Sequence, residues 1–508
     1  MFMNNKLQRP FLLICSFLLL LSGCGKTKDE RAASLYEAKC TICHIKPEIG
    51  DLPKEIWSRE ILPNMAARMG LRINGYNPLK GLSYDEMDAV IKTGIYPLVP
   101  NISQEDWRLL SDYIVSNAPD SLATYKEDQN DHELTQFNVE TYAFDSPQRR
   151  SYTYLEFDSL HKRILLGDMA GNLYSYKAET GLLKEDSFDS PVVSFIQKDT
   201  ISYITTIGYL NPSAISRGRV YTKSPTKTTI MDQVLHRPVH ALLKDLNNDG
   251  RDELVISEFG DLTGELSLFV PETAGGFQKK VLLNQPGTIR VLAKDMDADG
   301  REDLVALTSQ GDETITILYQ KEDLSFEPVK ALRFSPVYGT SWFELVDYEG
   351  DGDLDIITVH GDNADKSYVQ KPYHGMRIHI NDGTNTFSET YFHPMNGATR
   401  VVASDFDQDG DIDFGLLSTF PDYVNAPNRS FLFLENQESA TFTFKEFTLQ
   451  DSKKGKWFLM DKGDLDGDGD EDIILSSFAL PFIKAPEEME AYWKEQAVDI
   501  MILSNKLR

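Results

Sequence analysis

The chain has 508 residues, 41% of them hydrophobic, so it is long enough for more than one domain and apolar enough for each to bury a core. Its formal net charge of −28 excludes nucleic acid as a partner, because the phosphate backbone would be repelled. Clustered acidic residues in such a chain are candidates for holding cations.

The first 23 residues predict a secretory signal. Lys6 and Arg9 form a basic start, and residues 11–21 form an apolar stretch too short to cross a membrane. The stretch ends in Leu-Ser-Gly-Cys, the last residue being Cys24. This segment resembles a bacterial lipoprotein signal, which implies cleavage before Cys24 and acylation of that cysteine. An ordinary signal peptide followed by a chance cysteine is the alternative.

The lipoprotein resemblance also implies a location. The chain would be exported and lipid-anchored to the bacterial envelope, in contact with the membrane through its lipid alone. The outer membrane is favoured, on its periplasmic or surface face, because Gly25 and not an aspartate follows the cysteine. Residues 24–31 are predicted to form a short polar tether behind the anchor.

Residues 32–120 predict a small all-α domain. Helices are expected at residues 32–39, 55–69, 83–93 and 103–117, the last with Ser103 as its N-cap. Residues 121–133 are polar and charged, and we interpret them as a linker to a second domain.

The first helix ends in Cys40-Thr-Ile-Cys43-His44, the attachment motif of a c-type haem. Two thiols three residues apart reach two vinyl groups of one porphyrin, and His44 then lies beneath the iron as an axial ligand. A zinc site needs about four ligands, and the mature chain has only the lipidated Cys24 besides this pair. A thioredoxin-like redox pair expects a βαβ context, whereas these flanks are helical. We therefore expect one covalent haem c.

The flanks of the motif resemble small cytochrome c domains, in which a tryptophan-led helix brings a methionine to the iron. The segment from Trp57 to Met65 is similar to that arrangement, so the resemblance implies Met65 as the second axial ligand. Met69 and Met87 are alternatives, although core packing explains each of them equally well. Ligation by histidine and methionine leaves no open iron position and suits electron transfer.

Beyond residue 133 the pattern changes to short strands, and one acidic loop recurs five times at intervals of about 50 to 60 residues, a period typical of propeller blades. Each loop has oxygen-bearing side chains at positions 1, 3, 5 and 9 and glycine at position 6, a pattern suited to calcium. The predicted ligands are Asp245, Asn247, Asp249, Glu253; Asp295, Asp297, Asp299, Asp303; Asp347, Glu349, Asp351, Asp355; Asp405, Asp407, Asp409, Asp413; and Asp464, Asp466, Asp468, Asp472.

These loops are not EF-hands, because position 12 is never glutamate and the flanks are strands. Residues 240–480 instead resemble the FG-GAP or VCBS repeats of integrin-like β-propellers, whose loops bind calcium between the first two strands of a blade. The resemblance implies about five calcium ions. A solvated acidic turn is the alternative for each loop.

Two further units, at residues 152–176 and 192–228, lack the acidic loop and raise the number of blades to seven. The fold class is therefore multidomain, a small all-α cytochrome c domain followed by an all-β seven-bladed propeller at residues 134–508. The last unit has a helical insert near residues 487–496 and is one strand short. Because a ring must close without exposed edges, we expect residues 134–144 to supply the missing outer strand.

Counting back five residues from each acidic loop predicts a ring of side chains around the channel mouth on the opposite face. The ring comprises His240, Arg290, Trp342, Arg400 and, on a longer approach in the last unit, Trp457. Blade packing does not require such residues, and together they favour a pocket for an anionic or sugar-like ligand. The alternative is that these side chains only fill the channel, each of them paired with a neighbouring acidic residue.

These resemblances imply a membrane-anchored electron-transfer protein whose propeller docks a redox partner protein or holds a small-molecule or glycan ligand. Two alternatives remain open. One is a surface adhesion lipoprotein with an accessory haem domain. The other is an oxidoreductase acting at the propeller mouth and feeding electrons to the haem. The sequence contains no nucleophile triad or phosphate-binding loop, so no catalytic residue is assigned.

Overall fold

The computed structural model describes residues 27–73, 75–123, 132–144, 151–273, 275–363, 369–479 and 484–507. The predicted signal segment and Cys24 lie outside the described residues, as does most of the predicted linker. In the ranges above, no helix is both long and apolar enough to cross a membrane.

Short helices around one apolar core form the N-terminal domain. They are α1 (Lys28–Cys40), a 3₁₀ turn (Ile49–Asp51), α2 (Lys54–Ile56), a π-helical turn (Trp57–Ile61), α3 (Leu62–Arg68), α4 (Tyr84–Thr93) and α5 (Gln104–Asn117). The four predicted helical segments are confirmed, with Ser103 capping α5. Helix α1 begins earlier than expected, inside the predicted tether, because Thr27 and Glu30 form a capping box there.

A proline explains why the predicted helix at residues 55–69 is interrupted by a π-helical turn. Pro63 has no N–H to donate, and its ring would clash with the carbonyl one turn earlier. The chain widens ahead of it, so that the amide of Leu62 donates to the carbonyl of Trp57. Trp57 is buried in the core, and its indole Nε1 donates to the carbonyl oxygen of Ile49 at 2.9 Å.

The remaining chain forms seven β-sheets, which confirms the predicted seven-bladed propeller. Its strands are β1 (His132–Glu133), β2 (Phe137–Tyr142), β3 (Tyr152–Asp158), β4 (Arg163–Asp168), β5 (Asn172–Lys177), β6 (Gly181–Ser187), β7 (Val192–Lys198), β8 (Ile201–Thr206), β9 (Arg219–Lys223), β10 (Thr228–Ile230), β11 (Pro238–Lys244), β12 (Glu253–Glu258), β13 (Glu265–Pro271), β14 (Phe277–Leu283), β15 (Thr288–Lys294), β16 (Asp303–Thr308), β17 (Glu313–Gln320), β18 (Phe326–Phe334), β19 (Thr340–Val346), β20 (Asp355–His360), β21 (Gly375–Asn381), β22 (Phe387–Pro394), β23 (Ala398–Ser404), β24 (Asp413–Ser418), β25 (Phe431–Glu438), β26 (Thr443–Thr448), β27 (Trp457–Gly463), β28 (Asp472–Ser477) and β29 (Ile500–Asn505).

Four antiparallel strands form each of the first five blades, in chain order from β3–β6 to β19–β22. The second strand of blades 3 to 7 is buried along its whole length, as in β12 and β16. Neighbouring blades cover both faces of such a strand, which is why it reads as an almost continuous apolar run. The core therefore lies between the blades, around the middle of each sheet.

Residues ahead of the first blade close the ring. Strand β2 pairs antiparallel with β29, Val139 opposite Leu503, so the predicted outer strand of blade 7 is confirmed. Strand β1 pairs in parallel with β26 and adds a fifth strand to blade 6. The end of the predicted linker is thus part of the propeller, because the open edge of β26 offers it backbone partners. Helix α6 (Glu487–Gln496) is the predicted insert.

The helical domain rests on the propeller face opposite the acidic loops. The hydroxyl of Ser213 donates to the carboxylate of Glu86, and the hydroxyl of Tyr373 donates to the carbonyl oxygen of Asp51 at 2.8 Å. Val337 and Tyr338 of the propeller pack against the helical core. These propeller residues lie in loops on the face where the first strands begin, so the helical domain stands beside the mouth of the central channel.

Candidate functional sites

The five acidic loops connect the first and second strands of blades 3 to 7, as predicted. Within a loop, side-chain oxygens accept backbone N–H groups two to five residues ahead. In blade 6, for example, Asp405 accepts from Asp409 and Gly410 at 3.0 and 3.1 Å, and Asp409 accepts from Asp411 at 3.0 Å. The backbone thereby curls each loop so that the alternate carboxylates converge on one side.

The carboxylate at position 9 of each loop is buried. In blade 6, Asp413 accepts the N–H of Phe406 at 3.0 Å and that of Asn436 at 2.7 Å, so it ties the loop to the third strand. Burial and the nearby negative charges of Asp407 and Asp409 raise the pKa of Asp413 to about 8. A carboxyl group held without water among other carboxylates is stabilised by a bound cation.

The loops differ in how closely their carboxylates approach one another. Three loops bring ligand oxygens of three carboxylates within 4.8 Å of one another: Asp295, Asp297 and Asp299; Asp405, Asp407 and Asp413; and Asp464, Asp466 and Asp468. Among the described residues, the loops that begin at Asp245 and Asp347 form no such group. An arginine pairs with the carboxylate at position 5 in the first two loops alike, Arg251 with Asp249 and Arg301 with Asp299.

Two features of the loops escaped sequence reasoning. The backbone is left-handed at position 4 and not only at the glycine of position 6. In the second loop, Ala298 at position 4 has a φ of 56° and Gly300 at position 6 a φ of 87°. The last loop also carries a buried carboxylate at position 7, Asp470, and neither of its oxygens receives a hydrogen bond from the described residues. Asp468 beside it raises the pKa of Asp470, together with burial, to about 6. Asp470 is a further candidate ligand.

The haem-attachment motif lies where α1 ends. Cys40 is half-buried, Cys43 is exposed, and both thiols are free. Burial raises the pKa of Cys40 to about 11, so this thiol lacks the acidity of a reactive redox cysteine. His44 Nδ1 lies 2.8 Å from the carbonyl oxygen of Ile45 and must donate to it. In a neutral imidazole, Nε2 is then the ring nitrogen that carries a free lone pair for an iron.

Met65 and Met69 are both partly buried against the apolar cluster that includes Cys40. The segment ahead of α5 packs beside them, since the amide of Asn101 donates to the carbonyl oxygen of Met69 at 3.1 Å. Gly70 permits this approach: its φ is +80°, and a Cβ there would lie 2.8 Å from the carbonyl oxygen of Pro97. The exposed Leu98 belongs to the same segment. Cys40, Met65 and Met69 thus pack against one apolar cluster, the kind of surrounding that a haem attached at the motif would need.

The first strands of all seven blades line a central channel of about 780 Å³. One residue of each strand, immediately after a break in the strand register, forms a common layer in the channel wall. This layer comprises Tyr154, Ser194, His240, Arg290, Trp342, Arg400 and Leu459. Four of the five predicted ring residues thus lie where they were expected.

The prediction for Trp457 is wrong. Its side chain is 1% exposed and packs in the core between blades 6 and 7, where its indole Nε1 donates to the carbonyl oxygen of Ser452 at 2.5 Å. Strand β27 is seven residues long, like the first strands of the other blades. The chain therefore takes no extra residues to reach the last loop. Leu459 therefore occupies the layer, and Phe458 is the nearest aromatic residue lining the channel.

Arg290, Trp342 and Glu344 form a compact network in the channel wall. The guanidinium of Arg290 donates to both carboxylate oxygens of Glu344, at 2.8 and 3.3 Å, and packs 3.9 Å from the centre of the Trp342 ring. The indole Nε1 of Trp342 donates to the same carboxylate at 2.9 Å. The channel-filling alternative describes Arg290 well, because a neighbouring acid neutralises it.

Arg400 also packs on Trp342, at 4.5 Å from the ring centre, but it is bound differently. Its Nη1 donates to the carbonyl oxygen of Thr399 at 2.8 Å, and no carboxylate of the described residues forms an ion pair with it. Burial and the positive charge of Arg290 lower the pKa of Arg400 to about 10, so it is still charged at neutral pH. His240 is neutral there, since burial lowers its pKa to about 3.

Comparisons with known proteins identify the repeat. Residues 295–358 match the family model of the FG-GAP-like repeat, so the chain contains such a repeat in blades 4 and 5. No curated protein matches the sequence. Among solved structures, the WD40 domain of Neurospora crassa Pan2 is similar at 12% identity and a TM-score of 0.44, over 74% of this chain and 98% of that one.

Proposed function

We propose that the chain is an exported, lipid-anchored c-type cytochrome that transfers electrons, with a calcium-binding propeller that docks a redox partner or holds a small ligand. The observation that carries the proposal is the Cys40–His44 motif, in which a backbone carbonyl engages Nδ1 of the histidine and leaves Nε2 for an iron. A haem attached there supplies reversible one-electron exchange. The chain's own residues hold it, exclude water and leave the iron closed.

Each part of the helical domain has a role in this proposal. Cys40 and Cys43 hold the haem covalently, and the hydrogen bond from His44 Nδ1 to Ile45 orients the imidazole ring. Met65 is the proposed second axial ligand, and the apolar cluster around Trp57 keeps water from the haem. Because α1 begins at Lys28, an anchor on Cys24 would hold this domain close to the membrane surface.

The visible spectrum of the mature chain, made in a periplasm with haem-maturation machinery, tests the proposal. We expect a covalently bound low-spin haem in both oxidation states, with a weak far-red methionine band and no response to carbon monoxide. The variant with both Cys40→Ala and Cys43→Ala should fold and carry no haem. Absence of covalent haem from the native chain would refute the cytochrome assignment.

The distal ligand has its own test. Met65→Ala should lose the far-red band and gain carbon monoxide binding, because the iron then has an open position. Met69→Ala, one turn away on the same side of the helix, is the matched control and should keep both properties of the native spectrum. The reverse pattern would assign Met69 instead.

The lipid anchor is tested through the position of the chain after fractionation. The native chain should partition with the outer membrane and carry acyl groups on Cys24, detectable by mass spectrometry of its N-terminal peptide. Cys24→Ser should release a chain of unchanged haem content into the soluble fraction. A soluble native chain without acyl groups would refute anchoring.

The second candidate function is an oxidoreductase that acts at the channel mouth and feeds electrons to the haem. The contact between the helical domain and the channel-face loops favours it, through Glu86 with Ser213 and Asp51 with Tyr373. A substrate in the channel would lie close to the haem domain. A carbon monoxide-sensitive iron in the native protein would favour this candidate over simple electron transfer.

A further inference from the structure

Position 7 of the acidic loops carries a positive charge in two blades and a negative charge in three. It is arginine in blades 3 and 4 and aspartate in blades 5, 6 and 7. In blade 4, Arg301 donates to the carboxylate of Asp299 at position 5 and to the carbonyl oxygen of Gln320 at 3.1 Å. Arg251 of blade 3 forms the same two kinds of bond. A guanidinium cation therefore lies between the loop and the end of the third strand.

In blade 7 an acid takes the place of that arginine. Asp470 is 3% exposed, and neither of its carboxylate oxygens accepts a hydrogen bond from any group of the described residues. The carboxylate of Asp468, at position 5, lies beside it. A carboxylate removed from water without a partner is costly, and a second carboxylate next to it adds repulsion. A cation between the two would relieve both costs.

The other aspartates at position 7 have different surroundings. Asp353 and Asp411 are half-buried, so water reaches their carboxylates. Asp411 also accepts a hydrogen bond from the hydroxyl of Ser439 at 2.9 Å. Within the described part of the chain, Asp470 is thus the acid at position 7 that is both buried and without a partner.

Blade 7 also keeps the backbone oxygen that the arginine binds in blade 4. The amide of Gln320 donates to Asp303 at position 9, at 2.7 Å, and the amide of Asn505 donates to Asp472 in the same way, at 2.8 Å. Asn505 is therefore the counterpart of Gln320 at the end of the third strand. Two carboxylates and a backbone carbonyl are hard oxygen ligands of the kind that calcium takes, with water completing its shell.

We propose that blade 7 binds a second calcium ion, between Asp468 and Asp470, at the position that an arginine guanidinium takes in blades 3 and 4. Asp468 would be shared with the calcium proposed for the loop itself, because a carboxylate has an oxygen for each ion. The inference rests on the proposed calcium-binding propeller to that extent. The two can nevertheless fail separately, since the group of Asp464, Asp466 and Asp468 does not include Asp470.

The number of calcium ions bound to the full mature chain tests the second site. After equilibrium dialysis against saturating calcium, Asp470→Asn should hold one ion fewer per chain than the native protein. Asp470→Arg, which restores the guanidinium of blades 3 and 4, should also hold one ion fewer. Asp411→Asn, at the same position of blade 6, is the matched control and should hold the native number.

Two outcomes of the count are separate refutations. The native number of ions in both Asp470 variants would overturn the second site and leave the loop sites standing. A native chain that binds no calcium at all would refute the proposed calcium loops together with the second site.

Thermal unfolding gives an independent measure. In EGTA, Asp470→Asn should unfold at a higher temperature than the native chain, because a buried carboxylate without a partner is gone. Calcium should then raise its Tm by less than it raises that of the native chain, whereas Asp411→Asn should follow the native chain in both conditions. If Asp470 instead shares a proton with Asp468, calcium would stabilise Asp470→Asn and the native chain equally, and that result would overturn the proposal.

Discussion

In every blade a loop joins the first strand to the second. The acidic side chains of this loop have different partners in blade 1 and in the blades with acidic loops. In blade 1 the carboxylate of Asp158 accepts from His161 Nδ1 and Arg163 Nε, both at 2.8 Å, so Arg163 supplies a cation from within the protein. In blades 4, 6 and 7 the acidic loops bring three carboxylates within 4.8 Å of one another. The proposed calcium sites would supply the missing positive charge in these loops, whereas the connection in blade 1 has its own arginine.

The largest expected effect is that of calcium removal. On the proposal that the folded loops bind calcium and the unfolded chain does not, each site occupied at 100 times its Kd adds about 2.7 kcal/mol to the free energy of unfolding. Chelation with EGTA should lower the Tm by on the order of 10 °C, a shift that about three such sites account for in a propeller of this size. Thermal unfolding with calcium, with magnesium and with EGTA measures this. A Tm indifferent to EGTA would contradict the dependence on an external cation.

A single-loop variant sharpens the comparison between blades. Asp407→Asn keeps an oxygen at position 3, as Asn247 does in the first loop, but removes one charge. It should weaken calcium binding at that site about tenfold, or about 1.4 kcal/mol. Without calcium it should be at least as stable as the native chain, since a repulsion is gone. Asp158→Asn in blade 1 is the control, and its destabilisation should be equal with and without calcium.

Blade 1 also holds an acid in the channel that protonation, and not a metal, neutralises. Burial raises the pKa of Glu156 to about 7, so the folded state binds the proton more tightly than the unfolded chain does. Stability from this group is therefore present below about pH 4.5 and lost as the pH rises through about 7. The full shift corresponds to about 3 kcal/mol, and water in the channel reduces the expected effect to about 1 kcal/mol.

Denaturant unfolding at pH 5 and pH 8 measures the contribution of Glu156. Glu156→Gln should be more stable than the native chain at pH 8, by about 1 kcal/mol, and by much less at pH 5. Glu179→Gln, an exposed position in the same blade, should change neither value. A gain that is equal at both pH values would mean that ionisation of Glu156 is not its cause.

The smallest expected effect is that of Lys162, which links blade 1 to the acidic loop of blade 7. Lys162 of blade 1 donates to the carbonyl oxygen of Asp464 at 2.8 Å and lies 3.3 Å from its carboxylate. It therefore competes with a cation for the last loop. Lys162→Met should raise calcium affinity there two- to threefold, about 0.5 kcal/mol, because the pair is exposed. Titration against Lys184→Met, an exposed lysine of the same blade, measures the difference.

Much of the propeller could be predicted because its signals are local. The residue pattern of the acidic loops, including the glycine at position 6, is set by backbone conformation within a few residues. The missing strand of blade 7 follows from the requirement that the ring close. The error at Trp457 has a different origin. Whether a side chain faces the channel or the core depends on the register break in β27, which pairing with β28 decides.

The sequence by itself determined the motif at Cys40, Cys43 and His44, the five loops and the count of blades, because each depends on spacing along the chain. Tertiary structure alone decided which charges meet. Arg290 and Arg400 occupy equivalent positions in blades 4 and 6, yet Arg290 is hydrogen-bonded to an acid, Glu344 of the blade between them, whereas Arg400 donates to a backbone carbonyl. The approach of the helical domain to the channel mouth was likewise decided by packing between residues far apart in the chain, such as Asp51 and Tyr373.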